Sequence, residues 1–336
     1  MKVFEVQNKA GLEALNLTEH PEPSPGPGQL LLKLLAASLN YRDLLTVKGA
    51  YSSKQRLPFI PLSDGVGEVV AVGENVSRVK VGDRVAGIFM QTWLSGEITS
   101  AKTQSALGGA LDGVLAEYVV LHQDGVVHVP EHLSEQEAAT LPCAGVTAWH
   151  ALMTEGKLKP GDTVLLLGTG GVSLLALQFA KLVGARVIIT SKDDQKLEQA
   201  RQLGAEDVIN YKEVPDWDKR VWEITDGVGA DHVVEVGGAG TLNKSLRAVR
   251  YGGHVSLIGV LTGVAGDVQT ASILHKNLRV QGIYVGSRDM FEAMNRAIAL
   301  HQLRPIVDKV FPFHEAREAL AYLESGAHFG KIALQF

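Results

Sequence analysis

The 336-residue chain has a single cysteine, Cys143. It can form no disulfide within itself, and a multi-cysteine zinc site is excluded. A lone thiol suits a reducing compartment, so a cytoplasmic protein is expected. Long apolar runs are also missing. None reaches the roughly 18 residues that a bilayer span requires, and the opening Met1-Lys2-Val3-Phe4-Glu5-Val6 is a short alternating strand with no signal-peptide core. No membrane partner is expected. Nor is there any basic excess: the net charge is −5, and nucleic acid is not expected as a partner. What the chain does have is 46% hydrophobic residues, enough for a large core, and a length that suits two domains. It also has 36 glycines, many of them at predicted strand ends, where α/β enzymes place ligand loops.

The first third reads as β-rich. Extended segments are expected at Gln29–Ala37, Gly65–Val72, Arg84–Phe89 and Leu115–Leu121, with residues 90–112 forming a long lobe. Helices are expected at Glu135–Leu141 and Thr147–Met153. From Thr163 onward strands and helices alternate: strands at Thr163–Leu167, Arg186–Thr190, Asp207–Asn210, His232–Val236 and His254–Gly259 are separated by helical segments. That alternation predicts a parallel sheet with right-handed crossovers. Residues 292–302 and 314–324 read as amphipathic helices, and Gly330–Phe336 as a last strand.

The segment Gly168-Thr169-Gly170-Gly171-Val172-Ser173 joins one of these strands to a helix. Glycines at such a turn let the backbone approach a pyrophosphate, with the helix N–H groups facing its charge. An ordinary tight turn is the competing reading, and the repeated strand–helix context favours the dinucleotide. The last glycine of the usual pattern is Ser173, small enough to keep the helix close to the strand. The next strand ends Thr190-Ser191-Lys192-Asp193-Asp194. NAD binders place an acid there for the ribose hydroxyls. Here Ser191 and Lys192 suit a 2′-phosphate, which favours NADP, or NADPH in its reduced form. The alternative is that Asp193 or Asp194 bends back onto the ribose.

Several motifs recur in a familiar order: Ser38-Leu39-Asn40-Tyr41-Arg42-Asp43, Pro61 through Gly67-Glu68-Val69, Val81-Gly82-Asp83-Arg84-Val85, Leu141-Pro142-Cys143-Ala144-Gly145-Val146-Thr147-Ala148, the glycine turn, and Leu203-Gly204-Ala205. Over nearly its whole length the chain resembles the medium-chain dehydrogenase/reductase superfamily. The resemblance implies an α/β fold with a GroES-like β-rich catalytic domain at 1–124 and 283–336. A Rossmann domain, a doubly wound parallel sheet, is implied at 125–282. It also implies a homodimer or homotetramer, with a strand near 278–285 pairing across the dimer. Zinc-binding members hold catalytic zinc through a Cys, a His-Glu pair and a later Cys or His; the Cys position is Asn40 and the His-Glu pair is Ser63-Asp64 here. The lobe at 90–112 has none of the four cysteines that would hold a structural zinc. No zinc is therefore expected. The chain is similar to quinone oxidoreductases and to zinc-independent alcohol dehydrogenase-like proteins, and the retained lobe brings it nearer the latter.

The resemblance also implies a cofactor site. Thr147 lies near the nicotinamide; Gly168, Gly170, Gly171 and Val172 line the pyrophosphate. Ser191, Lys192, Lys196 and Tyr211 hold the 2′-phosphate and adenine. Gly259-Val260-Leu261 and Ile283-Tyr284-Val285 contact the nicotinamide ribose and ring, and Lys331 reaches the cofactor from the C-terminal side. Hydride transfer places the nicotinamide C4 against an acceptor carbon. Without zinc, a hydrogen-bond donor must polarise the substrate, or the substrate must already be activated, as in quinones, enones and related carbonyls. Asn40, Tyr41 and Arg42 are the candidate catalytic residues. Tyr41 suits a proton donor or a packed aromatic, and Arg42 a structural ion pair with Asp43 as much as a catalyst. Cys143 reads as an inert buried thiol, and His150 as a surface or packed histidine. The substrate expected is a small-molecule carbonyl, quinone or alcohol. An alcohol dehydrogenase-like enzyme acting on small alcohols or aldehydes, and an NADPH-binding redox sensor with little turnover, are the alternatives.

Overall fold

The structure is a computed structural model that describes residues 1–7, 10–51 and 55–336. The chain divides into two compact units, Met1–Val146 with Gly286–Phe336, and Thr147–Val285. In chain order the first unit contributes β1 (Lys2–Val6), β2 (Leu15–Glu19), β3 (Gln29–Ser38), β4 (Asp64–Val72), β5 (Arg84–Gly87), β6 (Tyr118–His122) and β7 (Val126–His128). The second unit contributes β8 (Thr163–Leu167), β9 (Arg186–Ser191), β10 (Asp207–Asn210), β11 (Ala230–Glu235), β12 (Val249–Leu257) and β13 (Arg279–Gly282). The chain then returns to the first unit with β14 (Val307–Pro312) and β15 (Lys331–Gln335). The division at Val146 lies later than the boundary at 124 that the sequence suggests. Strand β7 pairs antiparallel with β5, Val85 opposite His128, and this ties the stretch after residue 125 to the β-rich unit.

In the first unit a seven-stranded sheet runs β14-β15-β3-β4-β5-β7, with β6 also paired to β3. Strand β3 alternates apolar residues toward a core that includes Leu30, Leu32, Leu34, Val69, Leu115 and Leu334. Two registers set the site. Ala333 lies opposite Ser38 across the antiparallel β15–β3 pair, and Ser38 lies opposite Asp64 across β3–β4. The ends of three strands therefore meet where the chain leaves β3 at Leu39 and Asn40. The segment 90–112 is a lobe with one short helix, Ser100–Thr103. Its turn is held by the Lys102 ammonium, which donates to the carbonyls of Ser95 and Glu97. Strands β7 and β14 are short or interrupted by polar residues and carry too little alternation to read from sequence, and β2 alternates over only five residues.

In the second unit six parallel strands run β10-β9-β8-β11-β12-β13. The order reverses between β8 and β11, which is the switch point where doubly wound sheets bind ligands at their carboxyl ends. Strand β8 is buried on both faces, which accounts for its unbroken apolar run. Helix Gly171–Val183 packs on β8 and β9, with Leu174, Leu175, Ala176 and Phe179 buried. A helix at Thr270–His275, unannounced by periodicity, precedes the edge strand β13. Among the described residues no helix is long and apolar enough to cross a membrane.

Candidate active site and cofactor edge

The carboxyl edge of the parallel sheet gathers most of the predicted cofactor residues. Gly168, just past β8, has φ +72°, a conformation that a side chain resists. A Cβ at Gly168 or Gly170 would meet no protein atom within 4 Å. At Gly170 φ is −82°, so neither the backbone nor the surrounding protein demands glycine there. What both glycines leave open is the space in front of the helix N-terminus. Gly171 and Val172 open that helix, whose first-turn N–H groups have no partner within it. The departure at Ser173 is accommodated: its hydroxyl donates to the Leu167 carbonyl at 2.8 Å and the residue is buried. The turn, the open space and the helix end fit a pyrophosphate.

At the end of β9, Ser191 is buried and its Oγ accepts from the Asp193 N–H at 3.3 Å. Asp193 caps the next helix, its Oδ1 accepting from the N–H groups of Gln195 at 2.9 Å and Lys196 at 3.2 Å. Asp194 Oδ1 accepts from Asn210 Nδ2 at 2.8 Å. Both acids that might have reached a ribose are thus engaged in local bonds, and Lys192 is left exposed beside Ser191. Tyr211 follows β10, its N–H donating to the Ser191 carbonyl at 3.0 Å, and partial burial raises its hydroxyl pKa. Lys196 sits on the first turn of that helix, partly exposed.

Gly259, Val260 and Leu261 follow β12. A Cβ on Gly259 would come within 2.0 Å of the Val236 carbonyl oxygen, so the ends of β11 and β12 touch backbone to backbone. The sequence reading missed the group that organises this loop, Glu235. Its carboxylate is fully buried, and Oε1 accepts from the N–H groups of Gly237 at 2.7 Å and Gly238 at 3.0 Å and from Thr241 Oγ1 at 2.7 Å. Ser245 Oγ donates to Oε2. The signal was a lone acid ending an apolar strand before Val236-Gly237-Gly238. Ile283 and Val285 are buried and Tyr284 is half-exposed. Val285 has φ +57°, a strained value for a β-branched residue, and its carbonyl accepts from His150 Nδ1 at 2.6 Å. His150 is thus packed, and it positions this segment. Thr147 is buried on the helix that opens the unit.

In the first unit the strand ends bring Asn40, Ser63, Asp64, Cys143 and Lys331 together. Lys331 Nζ donates to Asn40 Oδ1 at 2.6 Å and to the Leu39 carbonyl, and Lys331 is 5% exposed. Asn40 Nδ2 donates to Ser63 Oγ at 3.4 Å, and Ser63 Oγ donates to Asp64 Oδ1 at 2.6 Å. The Cys143 N–H closes the chain on Asp64 Oδ2 at 3.0 Å. Burial pushes the Asp64 carboxyl up to about 6 and draws the Lys331 ammonium down. Burial, then the neighbouring Asp64, raises the Cys143 thiol, which favours its protonated form.

Two of the expected site residues are engaged within the first unit. Lys331 was assigned to the cofactor, but its ammonium turns inward onto Leu39 and Asn40, because the β15–β3 register carries it there. Arg42 was a catalytic candidate, but its Nη1 donates to the carbonyls of Leu107 at 2.9 Å and Gly108 at 3.1 Å and to Asp43 Oδ1 at 3.0 Å. The guanidinium lies over the rings of Tyr51 and Phe89, 5.2 Å and 5.0 Å from their centroids. Arg42 fastens the lobe, and Asp43, fully buried, anchors it and accepts from the Asn40 N–H at 2.9 Å. Tyr41 is 39% exposed at the start of the helix Tyr41–Val47. Among the described residues no group of three or more His, Cys, Asp or Glu side chains is placed to hold a metal.

Comparison with known proteins agrees with both halves. Residues 26–131 match the alcohol dehydrogenase GroES-like domain, and residues 171–299 match the zinc-binding dehydrogenase family. A zinc-type alcohol dehydrogenase-like protein of Schizosaccharomyces pombe is 45% identical over 97% of this chain and 96% of its own length. A Sinorhizobium meliloti 1021 structure named for alcohol dehydrogenase superposes with a TM-score of 0.94 at 42% identity, covering 100% of this chain and 98% of that one. A mycobacterial protein solved in complex with NADPH superposes with a TM-score of 0.83 at 28% identity, covering 100% of both chains. The chain belongs to the medium-chain dehydrogenase/reductase superfamily of NAD(P)-dependent oxidoreductases.

Proposed function

We propose that the chain is an NADPH-dependent, zinc-independent oxidoreductase that reduces quinones, enones or related carbonyl compounds. One observation carries the reading: the buried Lys331 ammonium bonded to Asn40 Oδ1, at a position where zinc-binding relatives place a metal ligand. A zinc ion does not suit this donor set. It would meet a carboxamide, a hydroxyl and a carboxylate already bonded to one another and the Cys143 thiol, held protonated by burial, with an ammonium of like charge beside them. NADPH supplies the hydride when bound. The chain's own groups position and polarise. Lys331 and Ser63 fix the Asn40 carboxamide, and a conjugated acceptor needs only a modest donor to hold the charge that develops on its oxygen. Tyr41, exposed at the adjoining helix start, is the group available to deliver a proton to such an oxygen.

NADPH over NADH is supported by the end of β9, where Ser191 and exposed Lys192 stand and both nearby acids are engaged elsewhere. The retained lobe at 90–112, held by Arg42 and Lys102, favours an alcohol dehydrogenase-like enzyme as the second reading, acting on small alcohols or aldehydes. Assembly as a homodimer through the β13 edge is part of the proposal, because that strand ends its sheet with its outer side unpaired among the described residues.

The test combines metal analysis of the purified protein, titration with NADPH and NADH, and steady-state assay against quinones, enals and primary alcohols. The expected result is no stoichiometric zinc, tighter NADPH and turnover of the conjugated acceptors. Bound zinc or an NADH preference overturns the corresponding part. Binding without turnover identifies a sensor.

A further inference from the structure

At the amino ends of the parallel sheet, the edge opposite the glycine turn, a second set of polar groups converges. His232 lies opposite His254 and His254 opposite Arg279 in the registers of β11–β12 and β12–β13. Cross-strand partners share a face, so the three side chains stand in a row. The two imidazole rings lie 5.9 Å apart in a T-shaped contact. His232 and Arg279, with Lys157, Lys159, Asp162 and Arg250, line a cavity of about 270 Å³. The five-residue strand β8 puts about 15 Å between this edge and the glycine turn.

The charges there are unbalanced. Four fixed cations, Lys157, Lys159, Arg250 and Arg279, line the cavity, and Asp162 is its single carboxylate. Asp162 Oδ2 is already engaged, accepting from the Lys159 N–H at 2.9 Å and bonded to His232 Nε2 at 3.1 Å. Arg250 is neutralised by Asp231, which also accepts from the Thr163 N–H at 2.7 Å. Among the described residues the ammonium groups of Lys157 and Lys159 and the guanidinium of Arg279 have no carboxylate partner. Both histidines are buried, and Nδ1 of each lacks a hydrogen-bond partner. Burial, with Arg279 close by, holds the His254 ring neutral.

Three unpaired cations around one concavity, backed by two buried imidazoles, attract an anion rather than a cation or an apolar group. We propose that this cavity is a binding site for a small anion of the phosphate class, either free phosphate or the phosphate of a small ester. It is separate from the dinucleotide edge of the same sheet.

The test uses the full chain saturated with whichever dinucleotide it binds more tightly, so that the phosphate positions of the cofactor are filled. Inorganic phosphate, glycerol phosphate and chloride are titrated in by calorimetry, and the histidine ring resonances are followed by NMR. The expected result is one phosphate or phosphate ester per chain, with His232 and His254 resonances shifting on binding. Arg279→Gln and the pair Lys157→Gln with Lys159→Gln should each weaken it about tenfold or more. These variants should leave turnover without added phosphate unchanged. Tighter glycerol phosphate identifies an organic ester as the occupant, and tighter inorganic phosphate the free ion. No saturable binding, equal binding of chloride, or equal affinity in the variants means an adventitious ion only and overturns the proposal.

Discussion

Lys331 Nζ lies 2.6 Å from Asn40 Oδ1, joining the last strand of the chain to the end of β3 inside the β-rich unit. A buried ammonium usually needs a carboxylate. This one is bonded to a carboxamide and a carbonyl, with the nearest acid, Asp64, reached through Asn40 and Ser63. The arrangement gives Asn40 one fixed orientation, with its oxygen and its nitrogen both assigned.

Lys331→Met should therefore loosen Asn40 rather than the cofactor. The Asn40 oxygen and the Leu39 carbonyl lose their donor in a buried place, which costs about 1–3 kcal/mol of stability. Turnover should fall about tenfold with KM for NADPH little changed, because the carboxamide loses its orientation. A rise in KM for NADPH with kcat intact would return Lys331 to the cofactor. Steady-state kinetics together with urea unfolding make the distinction.

Gly170→Ala tests the turn. The backbone there tolerates a side chain and a Cβ meets no protein atom, so thermal unfolding should be unaffected. The added methyl would stand in the space read as the pyrophosphate position, and NADPH affinity should fall about tenfold or more by fluorescence titration. Unchanged affinity would move the dinucleotide away from this turn.

Lys192→Glu tests the choice of dinucleotide. Exposed beside Ser191, this side chain makes no contact that the fold requires, so stability should stay within about 0.5 kcal/mol. Reversing its charge should weaken NADPH by about tenfold and leave NADH nearly unchanged. Equal losses for both nucleotides would mean that Lys192 does not face the 2′ position.

His254 makes a pH prediction. Burial, then Arg279 and His232, lower its folded pKa to about 4 from the ordinary 6.5. Between these values the unfolded chain binds a proton that the folded one does not, so this group makes stability fall as pH drops from about 6.5 toward 4. His254→Leu removes that contribution and should flatten the decline, as urea midpoints at pH 7 and pH 5 would show. A wild-type slope retained in the variant would place the acid sensitivity elsewhere, with His232 the next group to change.

The cofactor half was the more legible one. Its strands are short apolar runs and its turn is a local pattern, so Gly168 through Ser173 announced their conformation. The loop at Gly237–Thr241 did not, because its organiser is Glu235, a buried carboxylate whose four partners only the fold assembles. The β-rich half was legible in its motifs but not in their use. Arg42 and Asp43 are adjacent in sequence, yet the carbonyls that hold the guanidinium belong to Leu107 and Gly108.

The sequence by itself determined a strand–glycine turn–helix, the alternation that makes a parallel sheet, and the shortage of cysteine and histidine where zinc-binding relatives have ligands. Each is a matter of local pattern or residue type. Only the tertiary structure decided that Lys331 meets Asn40, that Asp193 and Asp194 are engaged in local hydrogen bonds, and that His232, His254 and Arg279 form a row. Those outcomes depend on strand register and on which donors and acceptors remain unpaired after the backbone ladders form. Neither can be read from residues far apart in the chain until the sheets place them side by side.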